Sequence, residues 1–141
     1  MRKILVIGAV FALLFAGCGA KNRTIRNAIK DNNTTVLDER ITPENINRYV
    51  AKGMTPLMFA IRNGVNLDTI KDLVNKGADV NQANRKLHDP IYYSVIYNRL
   101  DVLKYLVSVG ATSKISLQHL KDIAGKKGFL DVQTYLETLK F

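Results

Sequence analysis

Apolar residues along the chain recur three and four positions apart in short runs, and each run is closed by Gly or Asn. The clearest stretch covers residues 53–81, GMTPLMFAIRNGVNLDTIKDLVNKGADVN. Leu57, Ala60 and Ile61 share one side of a first helix, and Ile70, Leu73 and Val74 share one side of a second. Thr55 offers a hydroxyl to cap the first helix. Pro56 suits its first position, where a missing N–H has no partner to lose. Asn63-Gly64 would mark a hairpin between strands, but helical runs flank it, so it predicts a left-handed helix stop. Gly77 ends the second helix. The stretch therefore predicts two short antiparallel helices and the start of a projecting loop.

Weaker copies lie on both sides. Pro56 recurs as Pro90, Gly77-Ala78 as Gly110-Ala111, and Ile46-Asn47 as Val80-Asn81, at spacings of about 33–34 residues, a period that marks stacked repeats. Period, order and residue type resemble the ankyrin repeat, whose pattern runs Gly-x-Thr-Pro-Leu-His-x-Ala, then Gly, an apolar helix and Gly-Ala-Asp-Val-Asn. The resemblance covers residues 24–141 and implies an all-α fold, a short solenoid of helix-turn-helix units with projecting loops. Four units are expected: a degenerate repeat at 24–52, repeats at 53–86 and 87–115, and a C-terminal cap at 116–141.

In the third unit Asp89 replaces the capping Thr, and its charge suits a helix N-terminus. Met58 and Tyr92 stand where the family has His, so the hydrogen bond implied there is lost. Ser94 replaces a small Ala, and Asn98 replaces Gly64. Val102, Leu103, Leu106 and Val107 fill the second helix before Gly110. In the last unit Ser116 is a candidate cap, Leu117, Leu120, Ile123 and Ala124 stripe one helix, and Val132, Tyr135, Leu136 and Leu139 stripe the other. Lys121, Lys126, Lys127 and Lys140 give it the polar outer face of a terminal cap. In the first unit Ile25, Ala28 and Ile29 predict one helix, and Val36, Leu37 and Ile41 a second. Residues 43–50 read either as the projecting loop or as a small helix carrying Ile46, Tyr49 and Val50; the spacing from Asn47 to Gly53 favours the loop.

The N-terminus carries an address. Arg2 and Lys3 precede an uncharged apolar run at residues 4–15, and small residues follow, which is the layout of a secretory signal peptide. The run is shorter than the ~20 residues that a membrane-crossing helix needs. Leu14-Phe15-Ala16-Gly17-Cys18 resembles the lipobox of bacterial lipoproteins, with Phe15 in place of the usual Leu. That resemblance implies a signal peptide at 1–17, lipidation of Cys18, and a tether at 18–23. It also implies an export address: attachment to the bacterial cell envelope, at the outer membrane facing the periplasm where there are two membranes. Cys18 is the single cysteine, so no intramolecular disulfide competes for its thiol.

Charge and chemistry add less. The net charge is +9, from 21 Lys and Arg against 12 Asp and Glu, and loss of Arg2 and Lys3 with the signal peptide leaves +7. The cations are spread along predicted helices, with no run longer than Lys126-Lys127, so nucleic acid is not the expected partner. There is no Gly-rich phosphate loop, HExxH or paired-cysteine spacing, and no cofactor or metal is expected. His119 and Asp122 lie one turn apart, but read best as a solvated helix face. No catalytic residue is identified, and the chain is not expected to be an enzyme.

The resemblance implies that loop tips and first helices form a concave face that binds another protein. Carried onto this sequence, the face comprises Phe59, Arg62, Asn63, Arg85, Lys86, His88, Tyr93, Ile96 and Tyr97. For Phe59 and Tyr93, packing between neighbouring repeats competes with this role. The expected function is recognition of a partner protein by a membrane-anchored monomer. An immunity or inhibitor lipoprotein that neutralises a toxin or envelope enzyme is the alternative. Replacing Cys18 with Ser is expected to release the protein from membranes or leave its precursor uncut; unchanged acylation and fractionation would refute the anchor.

Overall fold

The computed structural model describes residues 19–140. Among them eight helices follow in order: α1 (residues 19–30), α2 (Thr34–Arg40), α3 (Pro56–Arg62), α4 (Leu67–Asn75), α5 (Pro90–Ile96), α6 (Leu100–Ser108), α7 (Leu117–Lys127) and α8 (Leu130–Glu137). The apolar run and Cys18 lie outside the described residues. No described helix is long and apolar enough to cross a membrane.

Local chemistry sets the helix ends. The hydroxyl of Thr55 accepts the Met58 N–H at 3.3 Å, Asp89 Oδ1 accepts the Tyr92 N–H at 2.8 Å, and Ser116 Oγ accepts the His119 N–H at 3.3 Å. Pro56 and Pro90 follow the first two caps and fill the first helical position. Gly64, Gly77, Gly110 and Gly128 take the left-handed conformation after their helices, as does Asn98, where Gly64 has its counterpart. The expected stops are all present.

The helices stack in two layers. In the inner layer α3 packs on α5 and α5 on α7; in the outer layer α4 packs on α6 and α6 on α8. Each inner helix also pairs with the outer helix that follows it. Inner helices are the more deeply covered: every residue from Pro56 to Ile61 is buried. Outer helices bury one stripe only, Ile70 and Leu73 in α4, Val102, Leu103 and Leu106 in α6, Val132 and Leu136 in α8. Val74 and Val107 are half-buried at the edge of their stripes. On the solvent side Lys71 lies over the Tyr105 ring and Lys104 over the Tyr135 ring, so each outer helix reaches the next through a cation and an aromatic face.

Polar groups fix the repeat-to-repeat spacing. Asn47 Oδ1 accepts the Asp79 N–H at 2.7 Å, and its Nδ2 donates to the Gly77 carbonyl at 3.0 Å. One period later Asn81 Oδ1 accepts the Thr112 N–H at 2.7 Å. These residues end the Ile-Asn and Val-Asn pairs of the repeat, and the bonds explain why Asn stands there. Asp89 does more than cap α5. It is fully buried, and its Oδ2 accepts the Ser113 hydroxyl at 2.8 Å and the Lys114 N–H at 2.6 Å. A buried carboxylate is tolerable because three donors and a helix N-terminus satisfy it.

One expectation changes in the first unit, and one open alternative is resolved. Residues 19–23, expected as part of a tether, are helical and belong to α1. Nothing breaks the helix between Gly19 and the buried Ile25, Ala28 and Ile29; Ala20, Lys21 and Arg23 are good helix formers, so the helix runs back past its last core contact. Residues 43–47 form a turn rather than a helix, closed by the Asn45 and Ile46 N–H groups on the Thr42 carbonyl. Ile46 and Val50 are buried beneath it and Tyr49 is exposed.

Leu73 and Leu106 are both fully buried at corresponding places in α4 and α6. Truncating either to Ala is expected to cost about 2–5 kcal/mol, because the surrounding helices collapse only partly into the space left. A thermal melt of either variant that matched wild type would remove that residue from the core.

Candidate functional site

Two fingers project from the stack. In the first, residues 47–54, the Val50 N–H donates to the Met54 carbonyl at 2.9 Å and the Met54 N–H to the Ala51 carbonyl at 2.7 Å. Its tip places Lys52 at φ +42° and Gly53 at φ +73°, two successive left-handed residues, as a tight two-residue turn requires. In the second finger the Asn84 N–H donates to the His88 carbonyl at 3.0 Å. Asn84 Oδ1 accepts the Lys86 N–H at 2.9 Å and the His88 N–H at 3.1 Å, so one side chain clasps the tip. Leu87 there has φ +62° and is 55% exposed. It occupies the place that Gly53 holds one period earlier. A branched residue in that conformation costs on the order of 1–2 kcal/mol. The fingers are tied together: the Tyr49 hydroxyl donates to the Ala83 carbonyl at 3.3 Å, and Gln82 Nε2 to the Asn47 carbonyl at 3.0 Å.

Behind the fingers the inner helices present the rest of the face. Arg62, Asn63 and Tyr97 are exposed, and Ile96 and His88 are half-buried. Phe59 and Tyr93 are buried at 6% and 8% exposure, so they belong to the core and offer only ring edges. Of the two roles weighed for them, packing between repeats is the one observed. The Tyr97 ring lies parallel to Tyr93 with centroids 6.2 Å apart, which supports the exposed tyrosine from below. His88 stacks on Tyr92 at 3.8 Å. Burial, reinforced by Lys86 and opposed by Asp89, pushes the His88 pKa below the usual histidine value. It is thus neutral at pH 7, and the positive charge of the face comes from Arg and Lys alone.

The structure brings Arg85 and Lys86 into a cleft of about 390 Å³ between the fingers, with Tyr49 and Lys52 opposite. Arg62 and Asn63 line a second cleft of about 420 Å³, between α1, the first finger and α3. Its walls carry Arg26, Lys30 and Lys52, and its floor is Met54 and the edge of Phe59. The sequence reading did not place Arg26, Lys30, Tyr49, Lys52 or Leu87 on this face. Two signals were available. Arg26 and Lys30 are one helical turn apart, and Leu87 falls 34 residues after Gly53.

Asp122 Oδ1 accepts a bond from Gln118 Nε2 at 2.9 Å, and His119 is exposed. Among the described residues no group of His, Cys, Asp and Glu is arranged to hold a metal.

Comparison with known proteins gives a consistent family. A family model described as "Ankyrin repeats (3 copies)" matches residues 25–118. Notch-regulated ankyrin repeat-containing protein A of Danio rerio is 30% identical over 96 residues, covering 64% of this chain and 85% of that protein. Protein B of the same name and organism is 29% identical over 105 residues, covering 71% and 94%. Tyrosine-protein kinase HTK16 of Hydra vulgaris is 30% identical over 98 residues, 70% of this chain but 12% of the kinase.

The strained finger tip can be tested directly. Leu87→Gly relieves the left-handed strain and loses little burial, and is expected to stabilise the fold by about 0.5–1 kcal/mol after the entropy cost of glycine. Leu87→Ala keeps the strain and should not. Urea midpoints for the two variants check this; a fall for Leu87→Gly would mean that the leucine side chain contributes packing that outweighs its backbone strain.

Proposed function

The chain belongs to the ankyrin-repeat family, and from that premise we propose that it is a recognition protein, held at a bacterial cell envelope by a lipid on Cys18, that binds a partner protein through its fingers and inner helices. The family is a non-catalytic scaffold for protein interaction, and the proposal adds the place, the anchor and the face. One observation carries the choice of face. The finger side of the stack keeps Tyr97 40% exposed and Leu87 55% exposed, at places held one repeat earlier by the exposed polar Asn63 and by the half-buried Gly53. Exposed aromatic and Arg side chains among polar neighbours are the usual anchors of protein interfaces. For the anchor, the supporting observation is the basic start, apolar run and small residues leading to the lone Cys18.

The chemistry of the proposed role is exclusion of water and pairing of groups, with no bond made or broken. The fingers are rigid enough for this. Each tip is closed by its own backbone bonds, and the roots are cross-linked through Asn47, Gln82 and Tyr49, so little conformational entropy is lost on binding. A photocrosslinking residue placed at Tyr97 or at Arg85 in cells is expected to capture a protein, identified by mass spectrometry, and the same residue at Asp68 on α4 is expected not to. Capture of lipid or glycan alone from the first two positions would sink the reading.

A further inference from the structure

We infer that the partner is recognised through an acidic segment, which docks across the basic channel made by the two adjoining clefts on the finger side of the stack. The inference rests on the protein-binding reading above and names the chemistry of what is bound.

Charge distribution carries it. Arg26, Lys30, Lys52 and Arg62 surround the cleft between α1, the first finger and α3. Lys52 also borders the cleft between the fingers, where Arg85 and Lys86 stand, so the two clefts adjoin at one lysine. No Asp or Glu lines either cleft. The ion pairs among the described residues lie elsewhere: Lys76 with Asp38 and Asp72, and Arg99 with Asp101. None of those ion pairs includes any of the six cations around the two clefts. Like charges gathered around a concavity repel one another and focus a positive potential into it, which an anionic ligand would relieve.

Two of the guanidinium groups are held in place. Arg26 Nη1 donates to the Val50 carbonyl at 2.8 Å, and Arg62 Nη1 meets the Met54 sulfur at 3.8 Å. Each uses one end of its planar fork on the first finger and keeps further N–H groups for another acceptor, an arrangement suited to carboxylates. Lys30 lies over the Phe59 ring, 6.0 Å from its centroid, and is positioned by it. The cleft by α1 also has the apolar Met54 and Phe59 in its lining, and the exposed Tyr49 lines the cleft between the fingers. Acidic side chains interspersed with apolar ones match this lining. A planar anionic bilayer would meet the exposed cations of the rim and leave the apolar floor of Met54 and Phe59 unfilled. Single-stranded nucleic acid would want open aromatic faces for its bases, and the ring at this floor is buried and covered by Lys30.

The test uses the full-length protein in cells with the photocrosslinker at Tyr97, outside the channel. Lys52→Glu with Arg62→Glu reverses two exposed charges and should leave the melting temperature near wild type. Loss of two close charge pairs is expected to cut capture of the partner by about tenfold or more. Lys52→Gln with Arg62→Gln should give a smaller loss. A second crosslinker at Lys52 should map to a partner segment rich in Asp and Glu, and reversing those carboxylates to Lys should restore capture by the Glu variant. Three results would overturn the inference: capture from Tyr97 that the charge reversal leaves unchanged, a mapped segment without net negative charge, or lipid or nucleic acid captured from Lys52. In each of these the protein captured from Tyr97 still supports the binding reading. If neither position captures a protein, that reading fails and this one with it.

Discussion

No helix pair in this chain can bury its own apolar residues, and everything else follows from stacking them. The inner helices carry the heaviest load. Residues Pro56 to Ile61 are covered on all sides because α5 lies on one flank of α3 and α4 behind it. The outer helices bury a single stripe each and keep their other face charged. Such a layout makes stability a sum over neighbours. In α7 the lysines at 126 and 127 are exposed and Lys121 is half-buried.

Stacking fixes the helices, but backbone polar groups fix the fingers. The amides of Asn47 and Asn81 each reach forward into the next loop, and Asp89 reaches from a helix cap to the loop at Ser113 and Lys114. These bonds convert a repeat in sequence into a constant spacing of projecting loops. The clefts between the loops are therefore as regular as the helices, and their chemistry is set by the few residues that differ from unit to unit.

That division explains how much could be read in advance. Caps, stops and core stripes depend on residue type at fixed local spacing, so Thr55, Pro56, Gly64, Gly77, Leu73 and Leu106 could be placed from sequence. The repeat-to-repeat bonds of Asn47 and Asp89 depend on residues 24 to 32 positions apart and were not legible as bonds. The site was harder still. Phe59 and Tyr93 sit in inner helices whose exposure depends on how closely neighbours approach, and the neighbours cover both. Arg26 and Lys30 lie in the most degenerate unit, where the pattern says least, yet they form a wall of the larger cleft. The helical course of residues 19–23 was missed because no buried side chain marks that stretch.

That course has a mechanical consequence. The twelve residues of α1 span about 18 Å at 1.5 Å per residue. Its Arg26 clamps the first finger by the Val50 carbonyl, and its Lys30 rests on Phe59. Helical from the first described residue, Gly19, and ending in the wall of the cleft, α1 is a stiff element. With Cys18 lipidated as proposed, such an element would leave little slack between the membrane and the clefts. Partners attached to the same membrane would then meet the clefts close to its surface.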